Sequence, residues 1–246
     1  MIRFFSLCHL ALALTLSTTA GAAAIGTCQT GAEPECAPSA SYSVRNGQGQ
    51  IVGSGGLGFA SHDGKFWLIE TDGAINNELF QITFFNAQFN PDPFVLYALG
   101  VTNSTGGPLT YSFLLSTPYI GGPYTQGNSS FGVTAATAVG ANVVLTTALP
   151  FTNLHNPDYD GTAFGALGTG CTLPAPGGNC DSGSTAAAIA TGAAGSLSVA
   201  FKFTLSGNSS AAAVGTAVLG NTVPEPATVL LTACGLLALG LRRRTR

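Results

Sequence analysis

Hydrophobic and polar residues alternate along much of the chain, and this pattern predicts β-strands. The longest case is 197–205, where Leu, Val and Phe alternate with Ser, Ala, Lys and Thr. A period of two places one set of side chains on each face of a strand. Phe80, Ile82 and Phe84 repeat the pattern, with polar residues between them. We therefore predict strands that have one buried and one solvated face.

Further segments of this kind are separated by turns that contain Gly, Pro, Asn and Asp. They cover 65–71, 94–102, 109–117, 131–139, 142–149 and 211–219. We interpret Cys171–Ser184, which is rich in Gly and Pro, as a long loop, and 185–195 as either a loop or a short helix. Many short strands with such turns predict an all-β fold, an antiparallel β-sandwich with a jelly-roll-like architecture.

The two ends of the chain differ from this body. Arg3 is followed by an apolar run and then by small residues up to Ala24, which predicts a secretory signal peptide over residues 1–24. At the other end, residues 222–246 contain Pro224-Glu225-Pro226, an uncharged apolar run that we expect to form a hydrophobic helix, and a basic terminus. The basic residues of that terminus are Arg242, Arg243, Arg244 and Arg246.

This C-terminal segment resembles the PEP-CTERM sorting signal, which has a Pro-Glu-Pro motif, a short hydrophobic segment and a basic end. The resemblance implies recognition of Pro224, Glu225 and Pro226 by an exosortase in a Gram-negative bacterium. It also implies a precursor held transiently in the inner membrane, cleavage near the motif, and a role linked to exopolysaccharide and biofilm. An unprocessed single-pass anchor is the alternative, because a basic cluster after an apolar run marks the cytoplasmic side.

Charge restricts the partners of the predicted ectodomain, residues 25–221. This region carries three basic side chains against ten acidic ones. An acidic domain with three scattered cations has no surface suited to the phosphate backbone. We therefore exclude nucleic acid, and we expect signal peptidase, exosortase and exopolysaccharide as partners.

Four cysteines lie in the ectodomain: Cys28, Cys36, Cys171 and Cys180. Export to an oxidising compartment favours disulfides over a zinc site, and the cysteines lack the CxxC spacing of zinc ligands. Four cysteines allow three pairings. The short-range choice joins Cys28 to Cys36 and Cys171 to Cys180, and it closes two small loops.

Oxygen-bearing side chains alternate at Asn156, Asp158 and Asp160 before Gly161. Alternating oxygen ligands and a glycine at a tight turn are features of a Ca²⁺ loop. The segment departs from the EF-hand pattern, since Leu167 stands where that pattern has its bidentate Glu. A weak Ca²⁺ site is therefore one interpretation, and a turn between two strands is the other. We expect no other cofactor.

No set of residues predicts a catalytic site. His62 and His155 are interpreted as surface or turn residues. Three N-x-S/T sequons begin at Asn103, Asn128 and Asn208, all in predicted turns. We therefore expect a non-enzymatic protein of the cell surface or extracellular matrix. The alternatives are a secreted carbohydrate-binding or hydrolytic β-sandwich domain and an unprocessed membrane adhesin.

Overall fold

The computed structural model describes residues 37–62, 66–71, 73–90, 94–120, 124–137, 140–189 and 195–220. These residues form sixteen β-strands: β1 (Ser39–Arg45), β2 (Ile51–Gly56), β3 (Phe59–His62), β4 (Trp67–Glu70), β5 (Ile75–Asn76), β6 (Phe80–Asn90), β7 (Phe94–Asn103), β8 (Leu109–Ile120), β9 (Gln126–Thr137), β10 (Val143–Thr147), β11 (His155–Tyr159), β12 (Thr162–Ala163), β13 (Gly170–Leu173), β14 (Gly177–Ala188), β15 (Gly195–Leu205) and β16 (Ser209–Gly220). The predicted signal peptide, the sorting segment, Cys28 and Cys36 lie outside the described residues. Among the described residues, no helix has the length and apolar character needed to cross a bilayer.

The strands form two eight-stranded sheets in which every pairing is antiparallel. The first sheet has the order β12-β11-β15-β8-β1-β2, with β10 beside β15 and β13. The second has the order β14-β9-β16-β7-β6-β4-β3, with β5 beside β6. The prediction of an all-β antiparallel fold is confirmed, and the jelly-roll-like order of strands stays a prediction.

One hydrophobic core fills the space between the two sheets. Tyr111 and Phe113 of β8 and Phe201 and Phe203 of β15 stack along the inner face of the first sheet. Tyr97 on β7 of the second sheet reaches them, with its ring centroid 6.0 Å from that of Phe201. Because aromatic side chains bury large apolar areas, these rings hold the sheets face to face as a sandwich.

Each predicted strand overlaps an observed one, although β9 begins five residues before the predicted start at 131 and β6 continues six residues beyond Phe84. The prediction of a long loop over Cys171–Ser184 is wrong, because β13 and β14 occupy most of it. β14 is an edge strand of small residues that are largely exposed on both faces. It therefore lacks the alternating hydrophobicity that reveals a strand in a sequence.

The Cys171–Cys180 disulfide is present, with 5.4 Å between the two Cα atoms. Cys171 lies on β13 of the first sheet and Cys180 on β14 of the second. The bond therefore joins the two layers of the sandwich at one side. The pairing of Cys28 with Cys36 falls outside the described residues and stays a prediction.

Candidate functional site

A β-bulge on β6 places two consecutive side chains on the outer face of the second sheet. The pairing of β6 with β7 shifts between Ile82 and Phe84, so that Thr83 is the additional residue. Thr83 and Phe84 are both exposed, while Ile82 and Phe85 are buried. The expectation that Phe84 shares a face with Phe80 and Ile82 is wrong, because the bulge reverses the alternation.

The ring of Phe84 rests on the backbone of the neighbouring strand at Gly100. The two residues are directly opposite each other in the pairing of β6 with β7. A Cβ at Gly100 would lie 2.4 Å from Cε1 of Phe84 and 2.4 Å from Oγ1 of Thr83. Only glycine therefore leaves room for the ring at this position. The side chain of Phe84 is still 45% exposed, which makes it an accessible aromatic surface.

A shallow open depression of about 560 Å³ extends from Phe84 across β7, β16 and β9 to β14. Its polar and aromatic lining consists of Thr83, Phe84, Thr102, Thr134, Asn179 and Ser210. A second depression of about 540 Å³ shares Thr102 and Ser210 with the first. It continues toward the end of the sheet, over Ser104, Thr137 and Asn208. We call these two depressions together the neutral groove.

The lining of the neutral groove contains no Asp, Glu, Lys, Arg or His among the described residues. Its polar groups are hydroxyls, which donate and accept hydrogen bonds, and carboxamides, which do both through separate atoms. Asp181 on β14 is directed elsewhere, since its Oδ2 accepts a hydrogen bond from the Thr169 amide at 2.8 Å. The groove therefore offers aromatic, apolar and neutral hydrogen-bonding contacts.

Buried Asn103 fixes the end of the sheet where Ser104 and Asn208 line the groove. Its Nδ2 donates to the carbonyl oxygens of Gly107, Leu205 and Ser206 at 2.9, 3.0 and 3.0 Å. The turn after β7 is thereby joined to the turn between β15 and β16. The groove at this end has a rigid, hydrogen-bonded support.

The structure corrects two of the three sequon positions. Asn103 is fully buried at the end of β7, and its amide is engaged with three carbonyl groups. Asn128 lies within β9, although its side chain is exposed. Asn208 is in a turn as predicted, with a positive φ of 52°. The sequon pattern contains no information on whether an asparagine lies in a strand or is buried, and the predictions for Asn103 and Asn128 were wrong for this reason.

His155 is buried in the core, so its interpretation as a surface or turn residue is wrong. Its Nδ1 lies 2.8 Å from the hydroxyl oxygen of Tyr97, and its ring stacks on Phe131 at 5.5 Å. Burial lowers the pKa of His155 from 6.5 to about 4, against a smaller opposing effect of the Thr216 backbone. The imidazole is therefore neutral near pH 7 and supports the fold rather than a surface site.

The predicted calcium residues lie along the hairpin formed by β11 and β12. Asp158 Oδ1 accepts a hydrogen bond from the Gly161 amide at 2.8 Å. Asp160 and Gly161 have φ values of 50° and 81°, as in a two-residue hairpin loop of type I′. Asn156 is largely buried and donates through Nδ2 to the Asn153 carbonyl at 2.8 Å.

These contacts explain the Asn-Pro-Asp-Tyr-Asp-Gly sequence as residues that form and stabilise a β-hairpin. Over the part of the chain that the structure describes, no group of three His, Cys, Asp or Glu side chains is arranged to hold a metal ion. The calcium site therefore stays a prediction.

No family model matches the chain, and no curated protein matches it. Among solved structures, the chain is similar to the C-terminal CBM6 of LamC, a marine laminarinase from Zobellia galactanivorans. The two are 16% identical, with a TM-score of 0.22, and the match covers 61% of this chain and 98% of that one. The adhesin domain of Lys-gingipain from Porphyromonas gingivalis gives 12% identity, 72% and 89% coverage, and a TM-score of 0.25.

A β-glucosidase from Kluyveromyces marxianus in complex with glucose gives 6% identity and a TM-score of 0.23. The match covers 69% of this chain, and the chain spans 15% of the length of that enzyme. At these TM-scores the similarities carry no conclusion about ligand or activity.

Proposed function

We propose that this chain is a non-enzymatic, exported surface or matrix protein that binds neutral polysaccharide in the neutral groove. One observation carries the proposal: the β-bulge at Thr83 presents Phe84 over Gly100 in an uncharged depression whose lining combines small apolar side chains with the hydroxyl groups of Ser and Thr. Sugar rings have apolar C–H faces and a rim of hydroxyl groups. An exposed aromatic ring surrounded by Ser, Thr and Asn complements both features.

The shape of the groove favours a polymer over a small molecule. The two depressions are open and share residues, so they form a continuous path along the outer face of the second sheet. Small-molecule sites usually enclose most of the ligand surface in a concave pocket. An open path leaves both ends of a bound chain free to continue, as binding within a polysaccharide requires.

The charge of the groove favours a neutral polymer. Anionic polysaccharides carry carboxylate or sulfate groups, which proteins recognise mainly through Arg and Lys. No Arg or Lys belongs to the described lining of the groove, while Thr102, Thr134, Asn179 and Ser210 supply neutral hydrogen-bonding groups. Binding to a neutral glycan is therefore expected to depend little on salt.

The lining of the groove favours binding over hydrolysis. Most glycoside hydrolases place a pair of Asp or Glu side chains on either side of the scissile bond. The described lining of the groove holds no carboxylate, and Asp158 lies in the first sheet, at the β11–β12 hairpin. Binding without cleavage is the activity that this arrangement supports.

Sorting through the C-terminal segment completes the proposal. The resemblance of Pro224-Glu225-Pro226 and the arginines after it to a PEP-CTERM signal supports cleavage near the motif and release from the inner membrane. Intact-mass analysis of the surface or medium form tests this step. A mature form that still carries Arg246 would contradict processing, and so would normal release of the Glu225→Ala variant.

Affinity gel electrophoresis tests the binding proposal. Native gels are cast with neutral glucans or galactans in one series and with polyuronates or sulfated glycans in another. We expect retardation in at least one neutral gel, with little change when salt is added. Retardation confined to anionic gels and abolished by salt would contradict the proposal, and so would the absence of retardation in every gel.

A further inference from the structure

The edge strand β14 of the second sheet is long for an exposed edge. It has twelve residues, and its pairing partner in the described part of the chain is β9. The other edge strands in that part, β2, β3, β5, β12 and β13, have two to six residues. Proteins commonly keep edges short, because the outward N–H and C=O groups of an edge can pair with another chain.

Most of β14 also lacks the usual features that protect an edge. A bulge lies between Asn179 and Asp181, but the pairing with β9 is regular from Asp181 to Ala188. This regular run contains Ser, Gly, Thr and Ala after Asp181, without the Lys or Pro that commonly blocks an edge. The Asp181 carboxylate is already held by the Thr169 amide. An added strand would therefore meet a regular and nearly uncharged edge.

We propose that β14 pairs antiparallel with β14 of a second copy of this chain, across a two-fold axis at Gly183. In this register Ser182 faces the partner's Ser184, and Asp181 faces the partner's Thr185. No like charges oppose each other, and the facing side chains are small. The second sheets of the two copies become one continuous sheet, as in β-strand addition.

Chain length favours a second copy over another segment of the same chain. Six residues, 189–194, connect β14 to β15, which is too few to turn back and add a strand along β14. Only three residues separate Gly220 from Pro224, which cannot donate to a β-ladder. An N-terminal or C-terminal segment of the same chain is the alternative occupant of the edge, and the experiment below distinguishes it by the mass of the particle.

The pairing has a consequence for the neutral groove, and this consequence alone rests on the proposed function. Gly178 and Asn179 of β14 line the groove, so the grooves of two paired copies lie on one continuous outer face. A single polysaccharide that contacts both is held with the avidity of two linked sites. Dimerisation itself is measured without a glycan, so the two proposals can fail separately.

Sedimentation equilibrium of the purified protein tests the pairing, together with charged variants of the edge. We expect a particle of two chains for the wild type. The double variants Ser182→Lys/Ser184→Lys and Ser182→Glu/Ser184→Glu place like charges opposite each other in the proposed register, so each should dissociate about tenfold more readily. An equimolar mixture of the two variants restores opposite charges and should dimerise again.

The control variant Ser39→Lys/Ser41→Lys adds two charges at the same spacing on exposed positions of β1 in the first sheet. It should dimerise like the wild type. A wild-type monomer at every concentration would overturn the proposal, and it is the result expected if a terminal segment of the same chain covers the edge. A dimer that persists in both charged variants would overturn it as well.

Hydrogen exchange of the wild type gives a second measurement that does not depend on variants that fold. Amides of 181–188 that point away from β9 should gain protection as the concentration rises. Constant protection over the same range would contradict pairing at this edge.

Discussion

The hydroxyl oxygen of Tyr97 lies 2.8 Å from Nδ1 of His155, in the core between the two sheets. Tyr97 faces Gly215 across β7 and β16, where a Cβ would lie 2.5 Å from its hydroxyl oxygen. The phenol is therefore confined by backbone on one side and by the imidazole on the other. Burial also raises the pKa of Tyr97 well above its usual value, so both partners are neutral near pH 7.

This pair predicts a loss of stability in acid. Burial lowers the pKa of His155 from 6.5 to about 4, so the unfolded chain binds a proton between these values while the folded chain does not. The contribution of His155 to stability is complete above pH 6.5 and decreases as the pH falls toward 4. Linkage gives a total loss of about 3 kcal/mol.

Urea unfolding of the wild type and of His155→Gln at about pH 7 and about pH 4 measures this loss. The variant is less stable at neutral pH but should lose less stability on acidification, because the glutamine does not titrate. Carboxyl groups elsewhere contribute equally to both proteins and cancel in the difference. The same acid-induced loss in both proteins would show that His155 is not responsible.

Replacement of Asn103 by Ala should destabilise the protein by about 2–3 kcal/mol. The substitution removes the donor shared by Gly107, Leu205 and Ser206 and leaves buried carbonyl groups without that partner. Asn128→Ala is the matched control, since this second sequon asparagine is exposed on β9 and should change stability by less than about 0.5 kcal/mol. Equal effects of the two substitutions in thermal unfolding would contradict the role of Asn103.

Removal of the Cys171–Cys180 bond should lower the free energy of unfolding by about 2–3 kcal/mol. The bond joins β13 and β14 across the two sheets and closes a loop with a sequence separation of nine. The double variant Cys171→Ala/Cys180→Ala, compared with the wild type in urea, measures the loss. An unchanged urea midpoint at unchanged slope would show that the bond contributes little beyond the packing of the strands.

The alternating hydrophobic pattern predicted the strands of the core, because their side chains face the core and solvent in turn. β15 and β16 show this best, with buried residues at every second position in the observed strands. β14 was missed because its small residues are exposed on both faces and leave no pattern to detect. Its place at the edge of the sheet follows from the tertiary structure, and a strand at that place needs no alternating hydrophobic side chains.

The site depends on departures from that pattern. In β6 the apolar buried positions Phe80 and Ile82 are followed by Phe85 and Phe89, so the alternation changes phase between Ile82 and Phe85. This change of phase was the sequence signal for a bulge, and the opposite glycine at position 100 became informative only once the register was known. His155 was likewise missed, because a polar residue in a segment of Asn, Pro and Asp does not indicate a core position.

Binding of a neutral polysaccharide by Phe84→Ala, with Leu114→Ala as the matched control, tests the central claim most directly. The two residues are 45% and 49% exposed, on the outer faces of opposite sheets. Calorimetric titration with the neutral glycan that retards the wild type should show about tenfold weaker binding for Phe84→Ala. Affinity should change less than about twofold for Leu114→Ala. Unchanged affinity in Phe84→Ala, or an equal loss in both variants, would contradict binding in the neutral groove.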